Sequence, residues 1–323
     1  MKVDLFNPGR LLDLVRGFTF NPEDLVPEGL RNQFRVDVRW NDISVVRLED
    51  DAEIRLGRVN GVYVQDMVAF FDYYFSSVSP TKVGHGNADR QVVDFSRPHD
   101  QNIVGFGDFP IHCPSLAEPY MTCQQYLDFA QLRPGSIVLD LGAYSCLTSI
   151  AFSKAAGTTG KVLAIEPDPT NLLSCAINIQ RHDEINKLAN IQLFPIAVAG
   201  HSGKIAFSNE GSMGSAQSSV VGTHRGTVVS VDCRTLGQLV SDTGVERVDF
   251  VKMDIEGSEV EAVAAAEVFF RHFKPRIIVE PHPLKHGHSL EPVRALLERY
   301  GYRCDVIEQY GVSIPLLTGI PFE

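Results

Sequence analysis

Ser136-Ile137-Val138-Leu139-Asp140-Leu141-Gly142-Ala143-Tyr144-Ser145-Cys146 passes from an apolar run into a small-residue turn, and a helical pattern follows over 145–156. A short apolar run ending at glycine and continuing as a helix reads as one strand–turn–helix unit. The unit recurs toward the C-terminus. KVLAIEP (161–167) precedes a helical stretch at 169–182, and IQLFPIAV (191–198) ends a third run. VDFVKMD (248–254) precedes helical 258–272, RIIVEPH (276–282) precedes helical 290–300, and YRCDVIEQ and YGVSIPLL read as two closing strands. Upstream, 116–132 carries apolar residues at helical spacing and stops before Pro134-Gly135, a sound terminator. Strand and helix alternating over this length predict an α/β fold with a largely parallel sheet and helices on both faces. Ligands in such sheets sit beyond the carboxyl ends of the strands, where the strand order reverses.

The chain changes character near residue 135. Before it, apolar runs such as Ile43–Val46 and Tyr63–Phe75 are interrupted by Gly, Pro and charge. Residues 61–75 read as helix or strand, and 79–115 reads as loop, punctuated by Pro80, Gly84, Gly86, Pro98, Gly105, Gly107, Pro110 and Pro114. The expected division is an α+β or irregular extension over 1–115 and a ligand-binding domain over 116–323, in line with about 150 residues per domain.

Composition bounds the function. With 44 % hydrophobic and 21 % charged residues, the 323-residue chain is neither disordered, collagen-like nor a disulfide-stapled miniprotein. A net charge of -11 disfavours nucleic acid or an anionic membrane face as partner. The six cysteines show no CxxC pair and read as reduced thiols. Asp4, Pro8 and Asp13 break the N-terminal stretch where a signal peptide needs an apolar run, and no uncharged run approaches a membrane span. A soluble, cytoplasmic protein is expected.

The turn after the first strand lacks GxGxxG: only Gly142 is present, and Asp140 stands at its mouth. A carboxylate repels a pyrophosphate and attracts an ammonium or sulfonium, so the turn disfavours NAD. The second strand ends in Ile165-Glu166-Pro167-Asp168, and an acid at that spacing accepts from both hydroxyls of an adenosine ribose. Pro169 then suits the first turn of a helix. Asp140 and Glu166 together describe a pocket for adenosine plus an amino acid.

Val251-Lys252-Met253-Asp254-Ile255-Glu256-Gly257-Ser258-Glu259, following LDLGA and AIEPDP at these distances, resembles the FkbM family of S-adenosylmethionine-dependent methyltransferases. The resemblance covers roughly 116–310, and segment 1–115 lies outside it. It implies a class I methyltransferase Rossmann-like fold of seven strands that binds S-adenosylmethionine and methylates oxygen, commonly a hydroxyl of a sugar or secondary metabolite. By this resemblance Asp140, Gly142, Ala143 and Tyr144 form the loop beside the methionine moiety. Glu166 binds the ribose, Pro167 and Asp168 follow it, and Glu118 is an upstream acid near the cofactor. Asp254, Glu256 and Glu259 are the signature acids. The family's DxGANxG departs here to Tyr144 for Asn and Cys146 for the second Gly, which bears on where the methionine carboxylate sits. Cys146 calls for ordinary backbone angles unless the turn is strained.

Methyl transfer from a sulfonium is an in-line displacement in which orientation contributes most, and a hydroxyl acceptor needs a base. Asp254 and Glu256, two apart on a strand end, would share a face. Glu259 at a helix start suits the helix dipole. Glu280 and His282 end the fifth strand at the same edge, with a polar loop of His282, His286 and His288 as the plainer reading. Asp254, Glu256 and a His could also hold a divalent metal. The signature demands none, so the expectation is metal-free base catalysis by Glu280/His282 or Asp254/Glu256, on a small-molecule or glycan acceptor. Segment 1–115 would then be an acceptor-binding or homodimer-forming cap, with arginine or aromatic residues of 63–75 and 99–114 either lining the acceptor cleft or filling the core of the N-terminal unit. The competing functions are a non-catalytic binding module with an eroded loop and an NAD-dependent oxidoreductase.

Overall fold

A computed structural model describes residues 25–85, 88–217 and 227–322. The N-terminal stretch read above for a signal peptide lies outside the described residues. The chain divides into two compact units, Met1–Tyr120 and Met121–Glu323.

The first unit holds a five-stranded sheet built from β1 (Phe34–Val38), β2 (Asp42–Arg47), β3 (Glu53–Gly57), β4 (Thr81–His85) and β5 (Ala88–Phe95), in the order β1-β2-β3-β5-β4. Residues 61–75 resolve as helix: a 3-10 turn leads into α1 (Val64–Ala69) and α2 (Phe71–Phe75). Val64, Met67, Val68 and Phe71 are buried at helical spacing, with Tyr73 also buried. The loop reading of 79–115 is corrected, because β4, β5, β6 (His99–Gln101) and β7 (Ile111–Cys113) lie within it. Pro98, Gly105, Gly107 and Pro110 fall between those strands and Pro114 directly follows the last, so they mark boundaries rather than absence of structure.

The second unit is organised by a seven-stranded sheet. Its parallel members are β8 (Ile137–Leu141), β9 (Lys161–Ile165), β10 (Ile191–Phe194), β15 (Phe250–Met253) and β16 (Arg276–Val279). β20 (Pro315–Pro321) pairs antiparallel with β16 and β19 (Tyr302–Glu308) pairs antiparallel with β20, so β20 alone runs against the sheet, in the order β10-β9-β8-β15-β16-β20-β19. This is the class I methyltransferase fold that the resemblance implied, and the order reverses between β8 and β15. The helices are α3 (Tyr120–Ala130), α4 (Leu147–Ala156), α5 (Pro169–Asn186), α6 (Leu236–Thr243), α7 (Glu259–Ala264), α8 (Glu267–Phe273) and α9 (Leu290–Arg299).

Two expected elements are divided. Pro195 ends β10, and β11 (Ala197–Val198) pairs instead in a four-stranded sheet with β12 (Gly203–Asn209), β13 (Ala216–Gln217) and β14 (Thr227–Arg234). Helix 258–272 breaks into α7 and α8 at Ala266, whose φ of -114° and ψ of 22° leave the helical region.

Alternation along the central strands sets which residues meet. Leu139, Leu141, Val251, Met253, Ile277 and Val279 pack into one apolar cluster with Phe269 and Phe270. Val138, Phe250 and Ile278 face the opposite way, toward Phe152 and Tyr126. With a side-chain period of two, Asp140, Lys252 and Glu280 belong to that second face. The register places Lys252 opposite both Asp140 and Ile278.

Candidate functional site

The turn after β8 is built against its neighbours. The Gly142 and Ala143 amides both donate to the Ile165 carbonyl, at 2.9 and 3.0 Å. Gly142 has a φ of +82°, and a Cβ there would lie 1.8 Å from the Asp254 carbonyl oxygen, so only glycine fits where β8 and β15 converge. Tyr144 and Cys146 adopt left-handed φ values of 51° and 62°. The ordinary backbone expected of Cys146 is thus overturned. Its amide donates to the Ala143 carbonyl at 2.6 Å, and its side chain packs with Ala143, Ala164 and Cys175. Packing fixes the shape that a second glycine would adopt freely.

Asp140 is fully buried. Its Oδ2 accepts from the hydroxyls of Thr148 (2.7 Å) and Ser149 (2.5 Å), while Oδ1 has no hydrogen-bond donor and lies 3.7 Å from Lys252 Nζ. Burial pushes the Asp140 carboxyl up, and the Lys252 ammonium opposes that.

Glu166, also buried, accepts from the Asp168 amide at 2.9 Å and the Tyr144 amide at 2.8 Å. Burial raises its pKa to about 8 despite those two donors. Pro167 carries the chain to Asp168, which caps α5 by accepting from the Thr170 and Asn171 amides at 2.7 and 3.2 Å. The other Asp168 oxygen accepts from the Glu210 and Gly211 amides and the Ser215 hydroxyl, at 3.0, 3.0 and 2.5 Å. Five donors therefore engage this carboxylate, fastening the loop around 210–215 to the start of α5. Glu118 belongs to the first unit, where it is buried; burial first, and then the Glu118 charge, raise the Cys113 thiol.

Asp254, Glu256, Glu259, Glu280 and His282 come together at the ends of β15 and β16. Asp254 and Glu256 meet through a turn beyond β15 rather than along the strand, with Glu256 at a φ of 50°. His282 lies among them. Its Nδ1 is 3.0 Å from Glu259 Oε1, and its Nε2 is 3.5 Å from Glu256 and 3.6 Å from Asp254. Burial alone would lower the His282 pKa, but Glu256, Glu259 and Asp254 prevail and hold it well above the usual value. Those three acids favour the protonated ring. His286 and His288 are exposed on the hairpin of β17 (Pro283–Leu284) and β18 (Gly287–His288) that follows, so the polar-loop reading applies to them and not to His282.

Glu259 is fully buried, and Oε1 also accepts from the Gly257 amide at 2.9 Å. Burial and the Asp254 charge raise Glu280 to about 7, opposed by His282 and Lys252, and Tyr126 donates to its Oε2 at 3.4 Å. Asp254, Glu280 and His282 each bring one donor atom within 4.8 Å of the others, a spacing that a metal ion could use. Lys252, to which the motif alone gives no role, lies at the centre, 3.3 Å from Asp254 Oδ2. A lysine among the apolar residues of VDFVKMD was the signal for it.

The profile of the methyltransferase FkbM domain matches residues 140–304, just over half of the chain and the span from Asp140 to the start of the closing strands. The chain belongs to the FkbM methyltransferase family. The 2-O-methyltransferase NoeI of Sinorhizobium fredii is 23 % identical to the FkbM chain over 150 residues, 42 % of this chain and 59 % of that protein. The match thus spans less than two thirds of that relative's length. Among solved structures, the FkbM methyltransferase of Methylobacillus flagellatus KT has a TM-score of 0.43 at 16 % identity, covering 61 % of this chain and 50 % of its own. An O-methyltransferase of Bacillus cereus in complex with SAH has a TM-score of 0.39 at 10 % identity, covering 64 % and 82 %. The FkbM signature VKMDIEGSE forms β15 and the turn that meets His282.

Proposed function

We propose that this protein is an S-adenosylmethionine-dependent O-methyltransferase acting on a hydroxyl of a sugar, glycan or secondary metabolite. The carrying observation is the convergence of β8 and β15. The 142–146 turn touches the Asp254 backbone, so a ligand held by that turn lies beside the carboxylate–imidazolium cluster. The 2-O-methyltransferase named among the relatives supports oxygen as the acceptor atom.

The residues fit the cofactor. Asp140 keeps one buried oxygen without a hydrogen-bond donor, suited to an ammonium, and Glu166 stands at the ribose position at the end of β9. Gly142, Ala143 and Tyr144 would border the methionine moiety, with Pro167 and Asp168 shaping the adenosine side and Glu118 assigned by the resemblance. When bound, S-adenosylmethionine supplies the methyl group, its C–S bond breaking as the new O–C bond forms.

The chain's own task is to align the acceptor and take its proton. Glu280 suits the base, because a carboxyl near 7 is both available and basic at neutral pH. His282, held as imidazolium, keeps Asp254 and Glu256 in place and offsets their charge. The acceptor proton passes to Glu280 and then to water. The first unit would serve as the acceptor-binding or dimer-forming cap. Among the described residues no helix is long and apolar enough to cross a membrane, and the six cysteines are free and buried, which suits a reducing cytoplasm.

Calorimetry with S-adenosylhomocysteine tests the reading. Wild type should bind and Glu166→Ala should not; no heat with wild type would end it. Labelled S-adenosylmethionine with a cell-extract acceptor pool should then label a methylated product.

A further inference from the structure

Lys252 occupies a position where β15 is otherwise wholly apolar. Phe250, Val251 and Met253 are all buried, and Lys252 itself is only 1 % exposed. Burying an ammonium carries a large desolvation cost, and an apolar residue of similar volume would serve packing alone at least as well. The charge therefore needs another reason. Its surroundings supply one: Nζ donates to the Gly142 carbonyl at 2.7 Å and lies 3.3 Å from Asp254 Oδ2 and 3.7 Å from Asp140 Oδ1. An ammonium has three protons on a compact head, which suits three acceptors arranged around it. The Gly142 carbonyl belongs to the turn after β8, Asp140 to β8 itself, and Asp254 to the acidic cluster.

We propose that Lys252 is a positioning residue that holds the Gly142 carbonyl, Asp140 and Asp254 in one arrangement, and so couples filling of the 142–146 turn to the charge of the Asp254–Glu280–His282 cluster. The inference rests on the cofactor reading above. Asp140 and Asp254 share one cation. A ligand ammonium beside Asp140 would neutralise that acid and leave more of the Lys252 charge to act on Asp254 and Glu280. Glu280 is faced by Asp254, His282, Lys252 and the Tyr126 hydroxyl, so a change in the Lys252 field is felt directly in its titration. Such coupling is reciprocal, and S-adenosylhomocysteine affinity must then depend on the protonation of Glu280.

The test uses the full chain labelled with carboxyl-13C glutamate, the Glu280 signal being assigned by its loss in Glu280→Gln. Saturating wild type with S-adenosylhomocysteine should lower the Glu280 titration midpoint, changing its proton affinity by about threefold, or half a pH unit. Lys252→Met should raise the midpoint of the free protein, abolish the ligand-induced shift and weaken S-adenosylhomocysteine binding about tenfold. Lys252→Arg keeps the charge and should leave the free midpoint near that of wild type. A merely structural lysine would lower thermal stability on substitution while leaving the Glu280 midpoint in place. That result overturns the proposal, as does a wild-type midpoint that ligand does not move, which can be measured even if Lys252→Met fails to fold. Absence of any S-adenosylhomocysteine binding by wild type would instead bring down the cofactor reading together with this inference.

Discussion

The Tyr144 amide donates to Glu166 Oε2 at 2.8 Å, making the turn after β8 and the acid after β9 one hydrogen-bonded body. Loss of the acid therefore acts on both halves of the pocket. With a pKa near 8, Glu166 holds a proton over most of the neutral range, whereas ribose hydroxyls donate best to its ionised form. S-adenosylhomocysteine affinity should rise as pH increases from 6.5 to 8.5. Glu166→Gln should bind at least tenfold more weakly and lose the part of that dependence centred near pH 8, measured by calorimetry across pH. The raised pKa also bears on stability. Below the unfolded value near 4.5 the group's contribution is fully present, and it fades as pH rises through about 8. Urea midpoints of Glu166→Gln should gain on wild type between pH 6 and 9.

Glu280 as base makes activity depend on its ionised form. Its raised value of about 7 places the acidic limb of the kcat/KM profile there, with rate increasing as pH rises through that point. Glu280→Gln should reduce kcat/KM by about 10²- to 10⁴-fold and remove the limb, while S-adenosylhomocysteine still binds. A variant that retains the limb assigns the base elsewhere.

His282 neutralises a carboxylate that has no access to water. Removing it leaves Glu259 buried with its Nδ1 partner gone, and His282→Ala should cost about 3 kcal/mol in urea unfolding near pH 6. Because the folded pKa lies well above the unfolded 6.5, the full contribution is present below pH 6.5. It fades as pH rises through the folded value. The gap between wild type and variant should narrow at alkaline pH.

Gly142→Ala tests the convergence of β8 and β15. A methyl group 1.8 Å from the Asp254 oxygen, at a positive φ, requires the strands to separate. The loss should reach about 4 kcal/mol or more, read as a lowered urea midpoint or failure to accumulate folded protein.

Chelation addresses the donor set of Asp254, Glu280 and His282. Lys252 and the His282 imidazolium already bring positive charge to these acids. Dialysis against EDTA should therefore leave methyl transfer within twofold of its starting rate, and rescue by an added divalent ion would contradict this.

The sheet was legible because the central strands are buried on both faces and read as short apolar runs, so Val138, Phe250 and Ile278 announced their elements. The signature acids were visible for the same reason, standing where those runs stop. Three features were not. Thr227–Arg234 alternates exposed and buried residues in a small sheet with Gly203–Asn209, and polar alternation between loops gives a faint signal. The glycines and prolines of 79–115 conceal strands only three to eight residues long. Contacts among Lys252, Gly142 and Asp140 depend on register between strands distant in sequence, which neither periodicity nor spacing carries.

Asp168 has a consequence for how the molecule comes apart. One carboxylate caps α5 through Oδ1 and fastens the amides of Glu210 and Gly211 through Oδ2, so a rotation that turns Asp168 away releases the loop and the helix cap together. The loop and the first turn of α5 then form one cooperative opening unit. In native-state hydrogen exchange, the amides of Thr170, Asn171, Glu210 and Gly211 should exchange at a shared rate, and Asp168→Ala should free all four together.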